Sequence, residues 1–112
     1  MERKRGKKMR RKTGFYQLNA KCDFNAIIDP EGEILDLDES LKYVKHSPTG
    51  FSWGYAGSGC SQTAFAILLD YTEMPSLSKE LYQKFKDEFI SAAKDGAIIS
   101  THDIDIFLRN QE

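Results

Sequence analysis

The sequence predicts an α+β domain: a small antiparallel sheet of three to four strands packed against two main helices, with a short helix at the C-terminus. Three observations carry this reading. Short segments of alternating apolar side chains, broken by turn residues, occupy 15–37. A continuous apolar run, AFAILL at 64–69, lies in the middle of the chain. From Leu77 onward an apolar residue recurs at every fourth position, through Leu81, Phe85 and Phe89 to Ala93. At 112 residues the chain has the length of one domain.

Taken in order, FYQLNA at 15–20 reads as a strand with Tyr16, Leu18 and Ala20 on one face. FNAII at 24–28 does the same for Phe24, Ala26 and Ile28. The link Lys21-Cys22-Asp23 suits a tight hairpin, although it lacks the Asn-Gly or Asp-Gly pair that fixes such a turn. Asp29-Pro30-Glu31-Gly32 is a better turn, with proline presetting φ and glycine accepting a left-handed exit. It leads into 33–37, expected as a third strand, and then into a short helical or irregular piece over 40–46.

Residues 61–71, SQTAFAILLDY, have a run of Ala and Leu and flat polarity across 64–69, which favour a buried helix within 60–72 over a strand. The four-residue repeat predicts a second, amphipathic helix over 76–94, widened by Tyr82 and Ile90. Pro75 and Ser76 offer its start and Asp95-Gly96 its stop. Ala97-Ile98-Ile99 suits an edge strand. Ser100 and Asp103 then have capping-box spacing before a last helix that buries Ile104, Phe107 and Leu108.

A formal net charge of −1 conceals a strong split. Residues 1–12, MERKRGKKMRRK, carry eight basic side chains and one acidic, against eight basic and sixteen acidic in 13–112. A +7 segment with so little apolar surface predicts a disordered arm at 1–12, followed by a single domain over 13–112. Arg3, Lys4, Arg5, Lys7, Lys8, Arg10, Arg11 and Lys12 are candidate nucleic-acid contacts, of the sequence-independent and salt-sensitive kind. The arm has no aromatic stacker, and the −8 body repels phosphate. No apolar stretch long enough for a signal peptide follows the arm, and no run is long enough to span a bilayer. The expectation is a cytoplasmic protein with Cys22 and Cys60 as free thiols and no membrane contact.

The segment SPTGFSWGYAGSG at 47–59 is too rich in glycine for a regular helix. The alternation of Phe51, Trp53 and Tyr55 predicts an extended stretch with three rings on one side. Two functional readings attach to it. The backbone N–H groups of 56–59, at a helix N-terminus, can form a concave nest for phosphate or carboxylate. The spacing matches neither a P-loop nor a dinucleotide fingerprint. Alternatively, His46, Ser47, Thr49, Phe51, Trp53, Tyr55, Gly57, Ser58 and Gly59 form a surface for a ligand or a partner. Against both stands packing, with the rings filling the core and the glycines admitting close backbone approach.

Candidates for catalysis are few. Cys60 at a helix start is the best-placed nucleophile, with His46 as a possible base, but a buried structural thiol explains it as well. His102 is expected in the first turn of the last helix. Asp36, Asp38 and Glu39, and the pair Asp103 and Asp105, lack calcium-loop spacing, and no HExxH or CxxC occurs, so no metal or other cofactor is expected.

The run from His46 to Gly59, followed by Gln62 and a helix ending Leu68-Leu69-Asp70-Tyr71, resembles a small bacterial domain family of unknown function met in phage, plasmid and other mobile-element genomes. Leu81-Tyr82-Gln83-Lys84-Phe85-Lys86-Asp87-Glu88 resembles its second helix, and the likeness spans 13–108. Ala56 stands where relatives usually have glycine and Cys60 where they have proline, which argues against the Cys60 thiol as a shared activity. The resemblance implies a mobile-element or host-interaction setting and no mechanism. The expected function is therefore a non-enzymatic binding or regulatory protein acting by protein–protein contact, with a host or phage protein as partner. Two alternatives stay open: a nucleic-acid-binding accessory protein using the arm, and a small enzyme or anion-binding domain using 54–59. Monomer and homodimer are both compatible, since an uncovered edge strand makes self-pairing easy.

Overall fold

The computed structural model describes residues 12–20, 24–47, 49–55 and 57–111. Of the expected disordered arm at 1–12, residues 1–11 lie outside the described residues, as does the hairpin link at 21–23 with Cys22; Lys12 is described and, unlike the expected free arm, is held by Asp29 and Asp70. Strands β1 (Phe15–Ala20) and β2 (Asn25–Ile28) are antiparallel neighbours, and β3 (Ile98–Ser100) pairs antiparallel with the other edge of β1. The strand order β2-β1-β3 puts the central strand first in the chain and makes β3 the expected edge strand.

Helix α1 spans Leu37–Leu41, α2 Ser58–Thr72, α3 Pro75–Phe85 and α4 Thr101–Arg109. The fold class expected from sequence is the one observed. The expected strand over 33–37 is corrected: only Ile34 joins the sheet, by a single bridge to Ile28. Two carboxylates account for this. Asp29 Oδ1 accepts the N–H groups of Glu31 and Glu33 at 2.8 and 2.9 Å, curling the chain. Asp36 Oδ1 accepts the N–H of Asp38 at 2.9 Å and so starts a helix where the strand would have continued.

Helix α2 is buried along most of its length, as its flat polarity predicted. Ala64, Phe65, Ile67 and Leu68 pack in the centre of the molecule. Helix α3 runs directly into a π-helical turn at Lys86–Ile90, which ends the regular helix short of the expected residue 94. The four-residue repeat explains why. Residues four apart on an α-helix drift by about 40° per step. The wider π turn offsets that drift, so Phe85, Phe89 and Ile90 all remain on the core side, and the Phe85, Phe89 and Phe107 rings meet at centroid distances of 4.7–6.0 Å, with Phe107 edge-on to the other two. Ser100 Oγ accepts the N–H of Asp103 at 3.0 Å, the predicted cap of α4.

One face of the sheet carries the core. Tyr16 lies opposite Ile99 and Leu18 opposite Ile27, all four buried with the α2 side chains. In β2, therefore, Ile27 faces the helices, whereas Ile28 and the buried Ala26 belong to the other face. No described helix is long and apolar enough to cross a membrane.

Candidate functional site

The glycine-aromatic segment is built around two buried polar side chains of α2. Gln62, fully buried, accepts the N–H of His46 at 2.8 Å and of Ser47 at 3.1 Å through Oε1. Its amide nitrogen donates to Ser40 Oγ at 2.8 Å and to the Val44 carbonyl at 3.0 Å. A flipped amide would set its donors against two N–H groups, so the network fixes the orientation. One α2 residue later, Thr63 Oγ1 accepts the Ser52 N–H at 3.0 Å and lies 2.8 and 2.9 Å from the Ser52 and Gly59 carbonyls.

The three rings do not share one side. Phe51 is buried, Trp53 is half-buried against the core and Tyr55 is 52 % exposed. Gly54, at φ +91°, redirects the backbone between Trp53 and Tyr55 and breaks the expected alternation. The Tyr55 ring folds back over the first turn of α2. A Cβ at Gly57 would overlap that ring, and one at Gly59 would stand 2.6 Å from Ser52 Cβ. These two glycines supply space for close approach, the role the packing reading assigns them. Residue 56 of the expected anion nest lies outside the described residues.

The remaining candidates are dispersed. Cys60 is buried and its thiol donates to the Tyr55 carbonyl at 2.8 Å. The His46 ring is exposed and bonds Tyr82 Oη at 2.6 Å through Nε2. Ser47 Oγ donates to the Gly50 carbonyl at 2.7 Å. Thr49, Ser58 and His102 are exposed. Among the described residues no group of three or more His, Cys, Asp or Glu side chains is arranged to hold a metal ion.

Sequence reasoning missed a polar cluster at the start of β1. The Lys12 ammonium sits 2.7 Å from Asp29 Oδ2 and 2.7 Å from Asp70 Oδ2, and Tyr16 Oη donates to the same Asp70 oxygen at 2.6 Å. Burial disfavours the Lys12 charge, but the hydrogen bonds and charges of Asp29 and Asp70 outweigh it and raise its pKa. Burial likewise opposes ionisation of Asp29, and Lys12 with the Glu33 and Glu31 N–H groups overcomes it, so the Asp29 pKa is lowered. Burial, reinforced by the Asp70 hydrogen bond and charge, pushes the Tyr16 hydroxyl far above the ordinary tyrosine range. Lys12 is 58 residues from Asp70, and no local pattern signals their meeting. This cluster forms one wall of a cavity of about 490 Å³ between the Ile34 segment, α1 and the end of α2.

The open face of the sheet is the other distinctive surface. Register aligns Ile34, Ile28, Gln17 and Ile98 in one row across it, since directly opposed residues share a face. Ile34 and Ile98 are 54 % and 56 % exposed, and Phe15 and Phe24 flank the row at 48 % and 58 %.

A family model described as "Family of unknown function (DUF6166)" matches residues 19–110, and the chain belongs to that family. Lys12 and Tyr16 precede the matched span. No curated protein and no solved structure matches the chain.

Proposed function

As a member of a family without an assigned activity, the chain is, we propose, a non-enzymatic protein-binding domain of a mobile genetic element, and its binding surface is the open face of the sheet. The observation that supports this is the Ile34-Ile28-Gln17-Ile98 row with exposed Phe15 and Phe24 beside it. Large apolar side chains grouped on one face are the usual mark of a protein contact. They differ from the aromatic motif, whose Phe51 is buried and whose Tyr55, though 52 % exposed, lies with its ring against Gly57 and Gly59 at the start of α2. A protein partner contributing apolar side chains to this face fits it, whereas a phosphate backbone does not. The setting, a host or mobile-element protein as partner, follows from the motif resemblance.

The test is affinity capture from the native host with the full-length protein and with a Phe24→Lys, Ile98→Lys variant, each with and without nuclease. A protein retained by the wild type through nuclease, lost by the variant, and protecting 15–34 and 98–100 from hydrogen exchange once purified with it would support the reading. Binding that vanishes with nuclease would move the function to nucleic acid. A wild type that captures nothing but forms dimers broken by the variant would assign the face to self-association.

A further inference from the structure

We propose that the cavity walled by Lys12, Asp29 and Asp70, which adjoins the sheet face at Ile34, is a second binding site that receives a basic segment of a partner protein with an apolar side chain between its cations. Shape and charge together lead there. The volume, about 490 Å³, lies in the range that encloses a small ligand or a few side chains. Leu35, Leu69 and Pro75 give it an apolar wall, and the half-exposed Tyr43 ring stands beside them, suited to the stem and head of a long cationic side chain.

The charge is one-sided. Asp29, Asp36, Glu39, Asp70 and Glu73 line the cavity, and Lys12 is the one cation among its lining residues. Lys12 takes up Asp29 and shares Asp70 with Tyr16. Glu39 meets only the exposed Lys42, at 3.0 Å, and the Asp36 carboxylate spends one oxygen on its cap. The Glu73 backbone N–H caps α2 on the Leu69 carbonyl, and its carboxylate has no hydrogen bond or ion pair among the described residues. Negative potential in a concave, partly apolar site attracts cations and excludes anions. The Lys12 ammonium, held at 2.7 Å by each of two carboxylates, exhibits the contact that an incoming lysine would repeat along the rim.

The experiment measures fluorescence anisotropy of a labelled, amidated peptide Lys-Lys-Leu-Lys-Lys on the full chain. Comparison peptides replace leucine by serine or all lysines by glutamate. The key variant is Glu39→Gln, Glu73→Gln, which removes two rim charges whose side chains hold nothing but the Lys42 surface pair, and circular dichroism checks its fold. Expected are saturable binding, at least tenfold weaker in the double variant, weaker with serine and absent with glutamate. Equal binding by wild type and double variant would overturn the proposal by placing the peptide elsewhere on the acidic body. Absence of binding would also overturn it. If binding emerges only when the seven basic residues between positions 3 and 11 are changed to glutamine, the chain's own segment competes for the cavity, and the partner assignment fails.

Discussion

Gln62 holds His46 by its backbone, and Tyr82 engages its ring. The carboxamide Oε1 accepts the His46 N–H at 2.8 Å inside the protein, while the imidazole lies outside against Tyr82. The same amide also ties down Ser47, Ser40 and Val44, so one side chain of α2 anchors the whole return from α1 to the glycine-aromatic segment.

Replacing Gln62 by leucine keeps the volume but strands the His46 and Ser47 N–H groups and the Val44 carbonyl. The expected loss is about 2–3 kcal/mol, because buried polar groups left without partners cost more than the bonds themselves contribute. Urea denaturation measures the loss. Faster amide exchange confined to 40–50 identifies its source, and unchanged exchange there would refute the anchoring role.

The two space-making glycines differ in what they press against. A Cβ at Gly59 meets Ser52 Cβ, whose own backbone is fixed by Thr63, whereas one at Gly57 meets the exposed Tyr55 ring. Gly59→Ala is therefore expected to cost about 1–3 kcal/mol as overpacking of a site that cannot yield. Gly57→Ala is expected to cost less, because the ring can swing into solvent. Thermal unfolding of the two variants gives the order, and equal losses would contradict this account.

The sheet has opposite tolerances on its two faces. Phe24→Lys and Ile98→Lys place charge at positions more than half exposed and are expected to change stability by no more than roughly 0.5 kcal/mol. Ile27→Ala and Leu18→Ala empty a fully buried pair and are expected to cost about 2–5 kcal/mol each. A large loss from the lysine variants would mean that the open face is covered.

Legibility in the sequence followed the range of the interactions. The buried character of α2, the Ser100 cap and the β3 edge strand rest on local composition and spacing, and they are observed. The strand expected at 33–37 failed because a period-two pattern says nothing about side-chain carboxylates competing for the backbone, as Asp29 and Asp36 do here. The register agrees with Phe24, Ala26 and Ile28 sharing one face, but which face of β2 meets the helices is not local information. Two apolar faces meet in Phe24, Ala26, Ile27 and Ile28, and only pairing with Leu18 decides between them. The Lys12 cluster joins residues 17 and 58 positions apart and was invisible, whereas polar Gln62 and Thr63 inside an apolar helix were a signal available to be followed.

The Lys12–Asp29 pair gives stability a defined pH dependence. Asp29 has a lowered pKa, so its contribution is fully present above its ordinary value of 3.8 and is lost as pH falls through the lower folded value. Lys12 has a raised pKa, so its contribution is fully present below 10.5 and is lost as pH rises through the higher folded value. Asp29→Asn keeps an oxygen for the Glu31 and Glu33 N–H groups but sets an NH2 donor against the Lys12 ammonium in place of the charged Oδ2 acceptor. At pH 7 the variant is expected to be less stable than the wild type by roughly 1–3 kcal/mol, since Asp29 is buried and Lys12 would lose a partner. That difference should stay level across the neutral range and shrink both below pH 3.8 and above pH 10.5. Urea midpoints of both proteins across that range measure it, and a difference independent of pH would show that the pair is not coupled to folding.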